Sequence, residues 1–303
     1  MRFPVVQEHG PKHCETASAQ LNLDSINMRC YSERCSSGAS AQEIGCLTYV
    51  EEAKLASVSV ILPVYNAGPN IERVFDAVYE FARTRPDYHF LFVDDGSQDE
   101  TATILQRCIR QTGNGCVNLI SYRQNGGKGY AIKTAFYQTE GENVLFTDGD
   151  LAYDLDHLPH LVEALKKHDV VAGSRSLIPH QGKSLPISRR ILGRGFNLFV
   201  RLLLNLPFRD TQAGLKGFRR DAGERLFALL NVHDFSFDVE LIYLAKNLGF
   251  SIGEIPARVS DEHDFKESTL RLFRDPFSML FSLLRIKLAR TNSDLRISPR
   301  GKP

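Results

Sequence analysis

The sequence lacks several features that mark large classes of protein. None of its six cysteines belongs to a C-x2-C pair, and their spacings match no zinc-binding template. No apolar run reaches the roughly 18 residues needed to span a membrane, and residues 1–20 lack the apolar core of a secretory signal. Lys and Arg (37) nearly balance Asp and Glu (36), and the net charge of +1 excludes a uniformly basic nucleic-acid binder. We therefore expect a reduced, cytoplasmic protein with no nucleic-acid partner.

The length, composition and hydrophobic pattern of the chain predict three segments. With 303 residues and 43% hydrophobic content, the chain can form a sizeable core. Residues 1–56 are rich in Ser, Gln, Glu and Cys and predict a poorly ordered N-terminal extension. Residues 57–268 predict the main domain. Residues 269–303 predict an amphipathic helix, over 269–290, and a basic tail.

Strands and helices alternate at short intervals through the first half of the main domain. The apolar runs predict strands at 57–65, 89–97, 117–122, 143–150 and 169–175, with helices at 69–84, 98–111, 128–139 and 155–167. Beyond these, we expect helices at 189–205, 221–230 and 235–248 and an edge strand at 251–259. This alternation predicts an α/β fold with a mostly parallel sheet covered on both faces. Ligands bind at the carboxyl ends of such strands, where polar clusters follow the first, second, fourth and fifth strands.

Two of these clusters are rich in carboxylates. Asp148 and Asp150, separated by one glycine at a strand end, could share Mg²⁺ or Mn²⁺ bound to a diphosphate, because these hard cations prefer oxygen ligands. The alternative is a solvated Asp-Gly turn. Asp94 and Asp95 could accept hydrogen bonds from a ribose hydroxyl or a base N–H. The alternative there is helix capping by the neighbouring Ser97 or Asp99.

Two further clusters favour anions. The segment 125–129, Asn-Gly-Gly-Lys-Gly, predicts a turn whose amides and Lys128 could approach a phosphate, although an ordinary tight turn is equally consistent with it. Residues 175–225 contain eleven basic and three acidic residues, and residues 266–303 contain nine and three. Arg forks suit phosphate oxygens. A solvated helix face explains many of these charges. It explains less well the positions of Arg175, which follows a buried strand, and Arg189, which lies at a predicted helix start.

The ordered motifs together resemble a known family. They are PVYN (63–66), VDDGSQDET (93–101), NGGKGYA (125–131), DGD (148–150), GSR (173–175) and DTQAGLKGFRR (210–220). In this order they resemble family 2 glycosyltransferases with the GT-A fold, and more narrowly the dolichyl- or polyprenyl-phosphate sugar transferases of the glucosyl and mannosyl types. The resemblance covers roughly residues 57–290 and does not extend to residues 1–56.

The resemblance implies an inverting enzyme that takes a hexose from a nucleotide sugar. It implies a nucleoside pocket formed by Pro63, Tyr65, Asn66, Asp94, Asp95 and Lys128. Asp148 and Asp150 would hold Mg²⁺ or Mn²⁺ on the diphosphate, and Arg175 and Arg189 would grip the acceptor phosphate. Asp210, Thr211, Gln212 and Lys216 would lie on the sugar and acceptor side.

The donor stays open between UDP-glucose and GDP-mannose. The residues after Asp150, Leu-Ala-Tyr-Asp, differ from the Leu-Gln-His-Pro that is common in the mannosyl type, and Ala67 stands where an acidic residue often follows PVYN. The sequence contains no tryptophan, so the Q-x-x-R-W signature of processive polysaccharide synthases is absent. That absence argues against a polymerising synthase.

The acceptor decides what chemistry the site needs. A lipid phosphate is already anionic near pH 7 and needs only arginines to hold and orient it. A hydroxyl of a soluble or cell-envelope glycan needs a general base, for which Asp210 is the candidate. A non-catalytic nucleotide-sugar-binding module and a nucleotidyltransferase are the rival hypotheses. The amphipathic helix 269–290 either packs on the sheet domain or lies on the cytoplasmic membrane face, where a lipid acceptor resides.

Overall fold

The computed structural model describes residues 58–113, 115–178, 195, 204–206, 208, 210, 213–231 and 236–260. The chain divides into two units, and every described residue lies in the second unit, Lys54–Pro303. The predicted N-terminal extension 1–56, the predicted helix 269–290 and most of the predicted helix 189–205 lie outside the described residues.

Seven strands of the described residues form one sheet in the order β3-β2-β1-β4-β6-β5-β7. Their bounds are β1 Val58–Val64, β2 Tyr88–Asp94, β3 Val117–Ser121, β4 Asn143–Phe146, β5 Val170–Ser174, β6 Lys216–Arg219 and β7 Ile252–Pro256. Pairs β1–β2, β1–β4, β2–β3 and β5–β7 are parallel, whereas β6 is antiparallel to both of its neighbours. The predicted, mostly parallel α/β fold and the predicted edge strand near residues 251–259 are therefore confirmed.

Helices cover both faces of this sheet. Within the described ranges they are α1 Gly68–Arg83, α2 Thr101–Thr112, α3 Lys128–Phe136, α4 His157–Leu165, α5 Arg220–Leu229 and α6 Phe237–Asn247. Strand residues alternate between the two cores: Val60 and Leu62 pack with α1, α2 and α4, while Ile61 packs with α3, α5 and α6. The alternation follows from the two-residue period of a strand. Both faces are apolar, as the near-continuous hydrophobic runs predict.

Helix α1 shows how the sequence encodes these elements. Ile71, Val74, Phe75 and Val78 recur at helical spacing and form its buried stripe. Pro69 lies in the first turn of the helix, where a missing N–H costs nothing and a fixed φ favours the helix.

Strand β6 is the element that the sequence analysis did not predict. It has four residues, too few for a hydrophobic pattern to indicate a strand. Because β6 runs antiparallel to β4, it begins at the edge where β4 ends, and Lys216 pairs in register with Phe146. The antiparallel direction brings the segment before Lys216 to the carboxyl ends of the parallel strands.

Candidate active site

The site is built where β1, β2, β4 and β5 end and β6 begins. Val64 of β1 is in register with Asp94 of β2, and Phe146 of β4 is in register with Lys216 of β6. The loops that follow these strands carry the predicted donor-binding residues. The loop after β4 lies so close to β1 that position 149 requires glycine, because a Cβ there would overlap the Pro63 carbonyl of β1.

Hydrogen bonds join the loop after β1 to the loop after β2. The Asn66 amide donates to the Ser97 hydroxyl (2.9 Å), and the Gln98 amide donates to the Asn66 side-chain oxygen (2.9 Å). The Gly68 amide donates to the Asp99 carboxylate (2.9 Å). Asn66 adopts a φ of 48°, in the left-handed region that asparagine tolerates better than most residues. Of the two residues considered as alternative caps of the following helix, Ser97 makes this contact between loops instead, whereas Asp99 accepts the amide of Thr101, the first residue of α2 (3.0 Å).

Tyr65 stands out in this region because its side chain is exposed. Its exposed fraction is 48%, whereas the preceding strand residue Val64 is buried. An exposed ring beside the strand ends is a surface on which a nucleobase can stack.

The paired acids at the end of β2, Asp94 and Asp95, both accept hydrogen bonds within the protein. Asp94 accepts hydrogen bonds from the Ser97 amide (3.1 Å) and the Ser121 hydroxyl (2.8 Å). Asp95 accepts from the Tyr122 hydroxyl (2.7 Å) and from the amides of Gly126 (2.8 Å) and Gly127 (2.9 Å). Their exposed fractions are 1% and 4%. Asp95 thus organises the glycine-rich turn, and two amides that the sequence suggested for phosphate point at Asp95 instead.

Lys128 contacts the first acid of the DGD motif. Its Nζ donates to Asp148 Oδ1 at 2.6 Å, and it lies 5.7 Å and 6.0 Å from the ring centroids of Phe237 and Phe146. Burial alone lowers the pKa of Lys128, but the negative charges of Asp148 and Asp238 outweigh burial and raise that pKa. Lys128 is therefore a charged ammonium beside the predicted metal ligand.

Gly214 packs directly against the same carboxylate. A Cβ at position 214 would overlap both oxygens and the carboxyl carbon of Asp148. Glycine is required here by this close approach and not by a left-handed backbone, since the φ of Gly214 is not positive.

Lys216 and Asp238 form a buried ion pair. Lys216 Nζ donates to Asp238 Oδ1 and to the Ala213 carbonyl, both at 2.6 Å. The exposed fractions of the two side chains are 0% and 6%. Burial lowers the pKa of Lys216, and the neighbouring Asp238 offsets only part of that effect. The contact with Ala213 ties the pair to the residue that precedes Gly214.

Arg175 and Asp210 form the second ion pair of the site. The Arg175 backbone N–H (3.1 Å) and Nε (2.7 Å) donate to Asp210 Oδ2, and Nη2 donates to Oδ1 (2.9 Å). The guanidinium side chain is 45% exposed, whereas that of Asp210 is 5% exposed. Burial opposes the charged carboxylate, but the bonds and charge of Arg175 prevail and hold the pKa of Asp210 below its ordinary value.

This ion pair predicts a loss of stability in acid. The folded-state pKa of Asp210 lies below the unfolded value of about 3.9, so its contribution is complete above that pH and is lost as pH falls through the folded pKa. We expect the free energy of unfolding of the wild type to exceed that of Asp210→Asn at pH 6. The difference should shrink between pH 4 and pH 2.5, as measured by urea unfolding. A difference that stays constant over that range would contradict the assigned pKa shift.

Comparison with known proteins assigns these features to a family. Residues 59–227 match the model described as Glycosyl transferase family 2. The chain belongs to glycosyl transferase family 2. This glycosyltransferase is similar to proteins named dolichyl-phosphate beta-glucosyltransferase: it is 30% identical over 243 residues to that of Dictyostelium discoideum, covering 76% of this chain and 73% of the relative. It is 29% identical over 223 residues to that of Homo sapiens, covering 69% of each.

Solved structures show that the glycosyltransferase has the fold that the motifs predicted. A glucosyl-3-phosphoglycerate synthase from Mycobacterium tuberculosis in complex with UDP matches with a TM-score of 0.56 at 21% identity, covering 79% of this chain and 82% of that one. A mannosyltransferase from Pyrobaculum calidifontis in complex with GDP-Man and Mn²⁺ matches with a TM-score of 0.53 at 20% identity, covering 81% and 66%. The GT-A fold is confirmed.

The DGD motif of the glycosyltransferase suits a hard divalent cation only in part. Asp148 and Asp150 offer oxygen ligands, which Mg²⁺ and Mn²⁺ prefer. The described residues contain no group of three or more His, Cys, Asp or Glu side chains that could hold a metal. Two carboxylates fill part of an octahedral shell, and phosphate oxygens and waters are the usual remaining ligands.

Sequence reasoning missed three residues of this site. Gly214 lies in a quoted motif but was assigned no role, and Asp238 lies in no motif. Tyr153 is 3% exposed, and burial raises its pKa to about 12 among charged groups that include Arg175 and Asp148. Three predicted residues, Arg189, Thr211 and Gln212, lie outside the described residues. No helix of the described residues is long and apolar enough to cross a membrane.

Proposed function

We propose that this glycosyltransferase moves a hexose from a nucleotide sugar, UDP-glucose or GDP-mannose, to dolichyl phosphate or another polyprenyl phosphate. The names of its relatives support the acceptor and favour glucose as the sugar. The residues proposed for the nucleoside are Pro63, Tyr65, Asn66, Asp94, Asp95 and Lys128. Gln212 and Lys216 remain proposals for the sugar side, although the Lys216 ammonium is buried against Asp238.

The observation that carries this proposal is the state of Asp210. Its carboxylate accepts three hydrogen bonds from Arg175 and has a lowered pKa. Such a carboxylate is a poor general base at neutral pH, because few of these groups can hold a proton there. A hydroxyl acceptor would need that base. An acceptor phosphate needs none, and the exposed guanidinium of Arg175 offers it a partner.

The reaction is a single in-line displacement. An oxygen of the acceptor phosphate forms a bond to the anomeric carbon, and the bond from that carbon to the donor diphosphate breaks with its electron pair on the leaving nucleoside diphosphate. The configuration at the anomeric carbon inverts. Arg175 and Arg189 orient the acceptor, and Lys128 meets the leaving diphosphate. Asp148 and Asp150 would hold Mg²⁺ or Mn²⁺, which offsets charge on that leaving group.

A lipid acceptor suggests a role for the predicted amphipathic helix 269–290 in membrane contact. Its apolar face would lie in the interface of the membrane and its basic face near the headgroups. We propose a peripheral location on the cytoplasmic membrane face.

The proposal is tested by release of nucleoside diphosphate from a panel of nucleotide sugars. The full chain is incubated with Mn²⁺ or Mg²⁺ and either a short polyprenyl phosphate or the matching polyprenol. We expect release from one donor, only with the phosphate and only with metal. Equal release with the polyprenol would indicate a hydroxyl acceptor. Tight nucleotide binding without release under any condition would indicate a non-catalytic binding module.

A further inference from the structure

The contact between Lys128 and Asp148 places a cation where the proposed metal would bind. The ammonium lies 2.6 Å from Asp148 Oδ1, and the two side chains are 15% and 30% exposed. A carboxylate oxygen that accepts this hydrogen bond has less negative charge to offer a metal. The proposed cation and Lys128 therefore compete for one group.

The surroundings of Lys128 favour its ion pair with Asp148. The centroids of the Phe146 and Phe237 rings lie 6.0 Å and 5.7 Å from the ammonium. Asp238, the second acid whose charge acts on Lys128, is already bound to Lys216 at 2.6 Å. A metal that took Asp148 from Lys128 would leave a poorly solvated ammonium beside a divalent cation.

The rest of the site offers a metal little compensation. Asp150 is the second carboxylate, and its Oδ1 accepts the Ala152 amide at 3.1 Å. As noted above, no larger cluster of metal-binding side chains occurs in the part of the chain that is described. Protein groups alone therefore provide too few ligands to displace Lys128.

A bound nucleoside diphosphate changes this balance. Its oxygens supply the missing ligands, and its negative charge accepts both cations at once. The amides of Gly126 and Gly127 donate to Asp95, whereas the long side chain of Lys128 can rotate from Asp148 toward the diphosphate. Movement of one lysine side chain would then free Asp148.

We propose that Lys128 is an internal counter-ion for Asp148, which a divalent cation displaces only when a nucleoside diphosphate is bound. The inference rests on the proposed function. It adds the order of binding, because the metal binds tightly only after the nucleotide of the donor. By linkage, the metal strengthens nucleotide binding by the same factor.

The test measures Mn²⁺ binding to the full chain by electron paramagnetic resonance, with and without saturating UDP. Wild type should bind Mn²⁺ at least 10-fold more tightly when UDP is present. Lys128→Gln should bind Mn²⁺ without UDP at least 10-fold more tightly than wild type, and UDP should strengthen its Mn²⁺ binding by a smaller factor than in wild type, because only the phosphate ligands are then gained. Asp148→Asn in the Lys128→Gln background should remove the gained affinity, which assigns that Mn²⁺ to the DGD motif.

Lys166→Gln is the matched control, because it removes an exposed lysine from α4 that pairs only locally with Glu163. It should behave as wild type. If wild type shows UDP-promoted binding but Lys128→Gln gains nothing without UDP, the counter-ion role is wrong and the proposed metal site stands. If neither protein binds Mn²⁺ even with UDP, the metal part of the proposed function is wrong and the inference falls with it.

Discussion

Replacing Gly214 with alanine should lower kcat/KM at least 100-fold while leaving the fold intact. The new methyl group would overlap the Asp148 carboxylate, which must rotate away from Lys128 and from the proposed metal position. The Asp148 side chain is 30% exposed, so it can rotate toward solvent without unfolding the domain, although the lost contact with Lys128 lowers stability. Its displacement by about 1 Å is enough for a loss of that size in catalysis.

Gly115→Ala is the control for this substitution. Position 115 is an exposed loop glycine whose added Cβ would meet nothing within 4 Å. Its kcat/KM and melting temperature should match those of the wild type. Steady-state kinetics with the active donor and thermal unfolding of both variants provide the comparison. Normal kcat/KM in Gly214→Ala would mean that the position of Asp148 does not matter to the reaction.

Replacing Lys216 with methionine should cost about 3–5 kcal/mol of unfolding free energy. The substitution leaves the Asp238 carboxylate buried without its cation and the Ala213 carbonyl without its donor. Methionine matches the length of the lysine stem, so packing changes little. The loss therefore comes from the uncompensated charge rather than from a cavity.

A double variant separates these causes. Lys216→Met with Asp238→Leu removes both charges and should recover most of the lost free energy, because well-packed apolar residues can replace a buried ion pair. Urea unfolding of the wild type, both single variants and the double variant measures the coupling. Lys166→Met, at an exposed pair, should leave the free energy unchanged. A Lys216→Met protein as stable as the wild type would show that the buried pair is not coupled to folding.

The sequence predicted the parts of the site that are encoded locally. Hydrophobic runs located the parallel strands, and the rule that ligands bind at their carboxyl ends located the edge at which Asp94, Asp148 and Arg175 meet. Strand β6 escaped prediction because its four residues owe their strand geometry to pairing with β4 and β5.

Partnerships between distant residues could not be predicted. Arg175 and Asp210 were both expected at the site, but their ion pair joins residues 35 positions apart and depends on the direction of β6. The sequence suggested that the amides of Gly126 and Gly127 could bind a phosphate. Only the fold shows that they donate hydrogen bonds to Asp95. Asp238 gave no local indication, because its role exists only when Lys216 is buried against α6.

We propose that the acceptor is a lipid phosphate held by an arginine. Mass spectrometry of the lipid tests this after incubation of the full chain with UDP-glucose or GDP-mannose, Mn²⁺ and polyprenyl phosphate. We expect one new species, heavier than the acceptor by one hexose, that forms with one donor and is absent with Asp148→Asn. A lipid that stays unmodified while the donor's hexose appears on a hydroxyl of another acceptor would show that the acceptor is not the lipid phosphate.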